Sequence, residues 1–187
     1  MITFKCSYTI LNNWSQGRFE EAVAQYLGKP LISTPQMELG KLKHEIWEQH
    51  IKKQTKLPDE LGGDKLTSPI TEQKYEKIIP LGEYQILFRG VIDLEDNDVI
   101  SDFKCGLGEP SAYMNGWQLD AYKLLRPNAR EGRYLCFNPY TGVHSRGIRF
   151  LNDTNAQNAL ENIITYGSEM LDYLVANKLL INYEVTQ

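Results

Sequence analysis

The sequence has few cysteines and no long apolar run. Its three cysteines, Cys6, Cys105 and Cys136, are far apart and odd in number, so they match neither a disulfide framework nor the paired spacing of a zinc site. No stretch approaches the roughly 18 apolar residues that a transmembrane helix needs. The start, MITFKCSYTILNNW, lacks the charged and then apolar layout of a signal peptide. We therefore expect a cytoplasmic protein that does not interact with membranes.

Bulk positive charge is also absent. A net charge of -4 argues against a protein that coats nucleic acid by general attraction, although it is compatible with a local basic cleft. The composition, 42% apolar and 24% charged, is that of an ordinary globular protein, and 187 residues suffice for one domain with a core. The sequence contains no internal repeat and no low-complexity segment.

The hydrophobic periodicity changes along the chain from that of helices to that of strands. The helix predicted over 34–54 has Thr34 as its N-cap and Pro35 in its first turn. From Thr71 onward the pattern alternates as in strands. The predicted elements are helices at 17–28 and 34–54, strands at 72–81, 84–94 and 98–106, a helix at 111–125, strands at 133–142 and 144–151, and a closing helix.

This order predicts an α/β (α+β) fold, in which helices flank a mixed central sheet. We expect one domain over residues 1–187. Within it we expect a helical N-terminal part at about 1–57, the sheet and its crossover helix at about 71–150, and a C-terminal helix at about 154–180.

The segment GVIDLEDNDVISDFKCG, residues 90–106, places acids where a sheet ordinarily has apolar residues. A two-residue turn at Asn97-Asp98 would pair Asp93 with Asp102 on one face, with Cβ atoms about 4.5–5.5 Å apart. Lys104 would project from that same face. A divalent cation would offset the repulsion between the two carboxylates, so the pattern indicates a metal-dependent hydrolytic site. The alternative is a charged, solvated strand face, and a one-residue slip in register would separate the acids.

Four segments resemble the motifs of the PD-(D/E)xK nuclease superfamily, in its RecB-type, CRISPR-adaptation-like exonuclease branch. They are GKLKH at 40–44, GVID at 90–93, DFK at 102–104 and QLDAY at 118–122. Their order matches the histidine, GxxD, (D/E)xK and QxxxY motifs of that branch. The resemblance covers about residues 7–140 and implies a restriction-endonuclease-like core.

The resemblance implies a metal site made by His44, Asp93, Asp102 and the backbone carbonyl of Phe103. Carboxylate and carbonyl oxygens suit Mg²⁺, whereas an imidazole ligand shifts the preference toward Mn²⁺, so Mg²⁺ or Mn²⁺ is the expected cofactor. Glu72 opens the first strand of the sheet, where the family often has an acidic residue, but it is left outside the predicted set.

The same resemblance implies the catalytic residues. Lys104 would position the attacking water, and Asp93 and Asp102 would act with it. Gln118 and Tyr122 lie one helical turn apart, so they share a face of the crossover helix, where they would hold Lys104 or a DNA phosphate.

The implied function is a metal-dependent DNA nuclease. We expect an exonuclease that hydrolyses phosphodiester bonds at DNA ends or in single strands, in phage recombination, repair or CRISPR-type processing. Members of the branch often hold an iron–sulfur cluster, but this chain lacks the four cysteines that such a cluster needs. It also lacks the phosphate-binding loop of a nucleotide-driven motor. Any motor activity would therefore come from a partner protein, such as a recombination or helicase protein. The alternatives are a non-catalytic nuclease-fold module that binds DNA or protein, and an enzyme acting on RNA or nucleotides.

Basic and aromatic residues offer candidate contacts to DNA. Trp47 or Trp117 would stack on an unpaired base. The candidate phosphate contacts are Lys41, Lys43, Lys52, Lys53, Lys56, Arg126, Arg130, Arg133, Arg146 and Arg149.

Overall fold

The described chain begins with a strand, ends with a helix and alternates between groups of helices and strands. The computed structural model describes residues 1–30 and 32–183. The elements are β1 Ile2–Ser7, α1 Tyr8–Ser15, α2 Phe19–Tyr26, α3 Pro35–Gln54, β2 Pro69–Leu81, β3 Tyr84–Asp96, β4 Val99–Cys105, α4 Pro110–Met114, α5 Gln118–Leu125, β5 Glu131–Asn138, β6 Val143–Phe150 and α6 Asp153–Ala176. In the described parts of the chain, no helix combines the length and apolar character needed to span a membrane.

The strands form one mixed sheet. Its order is β1-β3-β4-β5-β6, and β2 pairs with β3. The pairs β1–β3 and β4–β5 are parallel, whereas β3–β4 and β5–β6 are antiparallel. Helices α4 and α5 form the crossover that a parallel β4–β5 pair requires. This arrangement confirms the predicted α/β fold with a mixed sheet flanked by helices.

The hairpin between β3 and β4 has the predicted turn and the predicted register next to it, whereas the pairing of Asp93 with Asp102 stays a prediction. Asn97 adopts a left-handed conformation with φ of 59° in the turn, a conformation that asparagine tolerates better than most residues. Asp96 pairs with Val99, and the ladder continues outward to Leu94 and Ser101.

Several predicted boundaries or element types differ from the structure. Residues 2–7, expected in a helical N-terminal part, form β1, in which Phe4 and Cys6 are buried on alternate positions as in a strand. The helix predicted over 111–125 is two helices, and between them the carbonyls of Met114 and Gly116 accept hydrogen bonds from Arg149 at 3.5 and 3.2 Å. The last helix ends at Ala176 rather than near 180.

Contacts divide the described chain into two compact units. Unit 1 comprises residues 1–30, 32, 75–90 and 157–183, and unit 2 comprises 33–74 and 91–156. In unit 1, α6 packs closely on the strands at Gly167, where an added Cβ would lie 2.6 Å from the Cδ1 of Ile86. A larger residue at 167 would force these elements apart. The prediction of a single domain stays a prediction.

Unit 2 has a core that joins α3 to the sheet. Trp47 and Ile51 of α3 are 0% and 1% exposed. They fix the side of α3 that faces the sheet. The members of this cluster are Trp47, Ile51, Leu57, Leu61, Leu94, Phe103, Leu135 and Phe137.

Candidate active site

Helix α3 directs His44 toward strand β4. The helix begins where the Thr34 hydroxyl accepts the N–H of Met37, which is an ordinary N-cap. His44 lies three residues before the buried Trp47, on the same helical face. Its Nε2 is 3.0 Å from the carbonyl oxygen of Phe103. Burial lowers the pKa of His44, against the opposing effect of Asp102, so the imidazole is available as a neutral ligand.

Asp93 is the acid that meets this histidine. Its Oδ2 accepts the backbone N–H of Phe103 at 2.7 Å and lies 3.7 Å from Nδ1 of His44. Burial raises the pKa of Asp93 well above its ordinary value, and the neighbouring Asp102 raises it further. A carboxylate in these surroundings is stabilised by a nearby cation.

Glu72 completes a group of three metal-ligating side chains. One ligand atom each from His44, Glu72 and Asp93 lies within 4.8 Å of the others. Glu72 has a φ of 54° inside β2, an unusual conformation for a residue other than glycine. One imidazole and two carboxylates are donors that fit Mn²⁺ or Mg²⁺.

A second cluster surrounds Lys104. The Lys104 ammonium lies 2.5 Å from Oδ2 of Asp102 and donates to Oε1 of Gln118 at 3.1 Å. The Gln118 amide nitrogen donates to Oδ1 of Asp102 at 2.7 Å and to the Tyr122 hydroxyl oxygen at 2.9 Å. Tyr122 donates to Oδ1 of Asp102 at 3.1 Å. The amide therefore connects the lysine, the acid and the phenol.

The Lys104 ammonium in this cluster is stabilised by the neighbouring carboxylates. Burial lowers the pKa of Lys104, because it disfavours the charged ammonium. The attraction of Asp102 and Asp93 is larger than this effect, so the pKa of Lys104 is raised overall. Its Nζ also lies 5.4 Å and 5.7 Å from the ring centres of Tyr113 and Tyr134, within cation–π range. The lysine is consequently a positive group held beside a carboxylate.

The structure brings the predicted residues together in unit 2, in two adjoining clusters. His44, Asp93 and the carbonyl of Phe103 meet in the first cluster, and Lys104, Gln118 and Tyr122 meet around Asp102 in the second. The Asp102 oxygens face the second cluster, so its role as a metal ligand stays a prediction.

Two further expectations can be compared with the structure. Glu72, an acidic residue where the family often has one, lies outside the predicted set, but the structure groups it with His44 and Asp93. Its left-handed backbone leaves no mark on the alternation of the sequence. Trp47 is 0% exposed, so the expectation that it stacks on an unpaired base is wrong.

The sequence matches no protein-family model and no curated protein. Among solved structures, an alkaline exonuclease from Laribacter hongkongensis, in its complex with dAMP, has a TM-score of 0.55 at 12% identity and covers 93% of this chain and 91% of its own. A putative exonuclease from Eubacterium rectale has a TM-score of 0.56 at 12% identity, with coverage of 98% and 86%. A phage related exonuclease from Haemophilus somnus 129PT has a TM-score of 0.53 at 11% identity, with coverage of 88% and 83%. The chain shares the fold of these proteins.

Proposed function

We propose that this protein is a divalent-metal-dependent deoxyribonuclease that hydrolyses phosphodiester bonds. The observation that supports this function best is the grouping of His44, Glu72 and Asp93 beside the Asp102–Lys104 ion pair. A site with metal-ligating donors on one side and a charged lysine on the other suits a reaction in which negative charge develops on phosphate oxygens.

The residues in the first cluster would hold Mg²⁺ or Mn²⁺. His44, Asp93 and Glu72 would bind the ion, and the Phe103 carbonyl and Asp102 are further candidate ligands. When bound, such an ion acts as a Lewis acid toward the phosphodiester and lowers the pKa of a bound water.

The residues in the second cluster would orient the reactants. The Lys104 ammonium would hold the attacking water and stabilise charge on a phosphate oxygen in the transition state. Asp102 keeps that ammonium charged, and Gln118 fixes the position of both groups. Tyr122 remains a neutral phenol, because burial and the neighbouring acids raise its pKa, and it donates to Asp102.

Exonuclease action at DNA ends or in single strands is part of the proposal. It is supported by the three structural neighbours described above, which are exonucleases, one of them in complex with dAMP. A role in phage recombination, repair or CRISPR-type processing, with a recombination or helicase partner, follows from the sequence resemblance.

The decisive experiment is cleavage of end-labelled linear and circular DNA, single- and double-stranded, in the presence of Mn²⁺. We expect the wild-type protein to degrade linear DNA only when Mn²⁺ or Mg²⁺ is present, and Lys104→Ala to be inactive. Lys29→Ala, which removes an exposed lysine outside the candidate site and outside the candidate phosphate contacts, is the control and should retain activity. Nicking of circular DNA would instead indicate an endonuclease.

Titration calorimetry with Mn²⁺ tests the metal site separately. We expect one binding event in the wild type that is weakened by at least about tenfold in His44→Ala. DNA binding without Mn²⁺ binding or cleavage would contradict the nuclease function and favour a non-catalytic module. Cleavage of RNA in preference to DNA would change the proposed substrate.

A further inference from the structure

A cleft adjoins the candidate metal group. It has a volume of about 510 Å³, within the range of roughly 300–1,000 Å³ that is common for small-ligand sites. His44 and Glu72 belong both to this cleft and to the metal-ligating group, so the cleft opens on that group. Its lining consists of Met37, Gly40, Lys41, His44, Glu45, Glu48 and Glu72.

The charges of the lining disfavour a phosphate inside the cleft. Three carboxylates, those of Glu45, Glu48 and Glu72, face one ammonium, that of Lys41. Lys41 also pairs with Glu38, and Lys52 pairs with Glu48 from outside the lining. An excess of negative charge repels an anion but accepts hydrogen bonds from a neutral group that carries N–H donors.

The remaining lining suits a flat apolar group. Met37 is 42% exposed, and a thioether makes favourable contacts with aromatic rings. A Cβ added at Gly40 would meet nothing within 4 Å. The absence of a side chain there leaves this part of the helix surface open to an occupant.

We propose that the cleft receives one unpaired nucleobase of the DNA strand whose phosphodiester lies at the candidate metal group. A nucleobase is neutral, flat and aromatic, and it carries N–H donors. This inference rests on the proposed nuclease function and adds a substrate requirement to it. The base enters the cleft only when it leaves its stack, so cleavage favours single strands and frayed ends.

Filling the cleft tests the proposal. Gly40→Leu places a side chain in the open space without changing a candidate metal ligand, and Gln49→Leu adds the same side chain at an exposed position of α3 outside the lining. For Gly40→Leu we expect kcat/KM on single-stranded DNA to fall by about tenfold or more, the loss typical of one stacked base. Mn²⁺ affinity should match that of Gln49→Leu, and Tm should be equal or higher, because glycine inside a helix is less favourable than leucine. Equal cleavage by the two variants would overturn the proposal.

A binding assay separates this inference from the proposed function. In Lys104→Ala, single-stranded DNA with 2-aminopurine at successive positions should show a fluorescence increase at one position, where the base leaves its stack. Adding Gly40→Leu should abolish that increase, and adding Gln49→Leu should preserve it. If the wild type does not cleave DNA but this pattern is found, the nuclease function fails and the base site stands. The absence of an increase at every position would overturn the base site.

Discussion

Gln118 connects three groups of the candidate site through a single amide. Its oxygen accepts from Lys104, and its nitrogen donates to Asp102 and Tyr122. Since the lysine can only donate and an ionised carboxylate can only accept, the amide has one orientation that satisfies both. Gln118 therefore contacts the lysine, the acid and the phenol at once and supports the direct Lys104–Asp102 ion pair.

We expect Gln118→Ala to lower kcat by roughly 10- to 100-fold, as is typical when a group that supports an active site is removed, with little change in KM. Single-turnover cleavage of labelled DNA would measure the effect. Gln157→Ala, at an exposed position of α6, is the control. A rise in KM at constant kcat would instead indicate that Gln118 contacts DNA directly.

Glu72 combines an unusual backbone with a ligand position. A left-handed conformation at a residue other than glycine costs on the order of 1 kcal/mol, and here it accompanies a carboxylate near His44 and Asp93. Strain of this kind persists where the surrounding structure maintains it.

Glu72→Gly should separate these two properties. We expect the free energy of unfolding to stay the same or to rise by up to about 1 kcal/mol, because glycine adopts this φ without strain. Mn²⁺ affinity should nevertheless fall by about tenfold or more. Urea denaturation and calorimetry measure the two quantities. Unchanged Mn²⁺ affinity would exclude Glu72 as a ligand.

At the scale of elements, Arg149 of β6 holds the junction between α4 and α5. Its guanidinium donates to the carbonyls of Met114 and Gly116 and lies 3.3 Å from Oδ2 of the buried Asp120. Helix α5 carries Gln118 in its first turn. The arginine thus anchors the end of the helix that faces the candidate site.

Arg149→Met should destabilise the protein by about 3 kcal/mol, because it leaves a buried carboxylate without its cation. Asp120→Asn in the same chain should restore most of the loss. Chemical denaturation of the two single variants and the double variant forms the required cycle. If the losses in free energy of unfolding of the two single variants simply add in the double variant, Arg149 and Asp120 are not coupled.

The loss in Arg149→Met should depend on pH. Burial raises the pKa of Asp120, and Arg149 opposes this effect, so removal of the arginine raises that pKa further. The native state then binds a proton more readily than the unfolded state, and stability falls as the pH rises from the ordinary aspartate range through the native pKa. We expect a smaller deficit at pH 4 than at pH 7.

The sequence predicts most elements because their signals are local. The Thr34 cap, the Asn97-Asp98 turn and the alternation of β3 and β4 all lie within a few residues of the structure that they specify. The division of the predicted 111–125 helix could not be predicted in this way. At the division, the backbone carbonyls of Met114 and Gly116 accept hydrogen bonds from Arg149, which is more than 30 residues away in the sequence.

The candidate site was predictable to a similar degree. Motif order identified Asp93, Lys104 and Gln118, which the fold brings into two adjoining clusters. Glu72 and the direction of the Asp102 carboxylate depend on backbone conformation and on competition among hydrogen-bond donors. Neither the backbone conformation at Glu72 nor the direction of the Asp102 carboxylate can be deduced from the spacing of residues along the chain.

At the scale of the whole molecule, most basic residues expected to contact phosphates already have acidic partners. Combined with a net charge of -4, this pairing limits non-specific attraction to DNA. The pairs in the described structure include Lys43–Glu60, Lys52–Glu48, Lys56–Asp59, Arg126–Glu95, Arg133–Glu131, Arg146–Asp64 and Arg149–Asp120.

We therefore expect DNA affinity to depend weakly on salt. For a protein that contacts no more than about three phosphates of a single strand, the slope of log affinity against log salt is about -2 or shallower. Fluorescence anisotropy with Lys104→Ala and a labelled oligonucleotide measures it. A slope steeper than about -5 would show that the ion pairs exchange for phosphate contacts on binding.

The hairpin of β3 and β4 also has a consequence for the order of folding. The contact of Asp93 with Phe103 spans 10 residues of chain, whereas that of His44 with Phe103 spans 59. Short loops close with less loss of entropy than long ones, so the hairpin acids should come together before the histidine arrives. In stopped-flow refolding, Mn²⁺ should leave the earliest phase unchanged and stabilise only the product of the last one. The site for the ion would then be the final part of this protein to form.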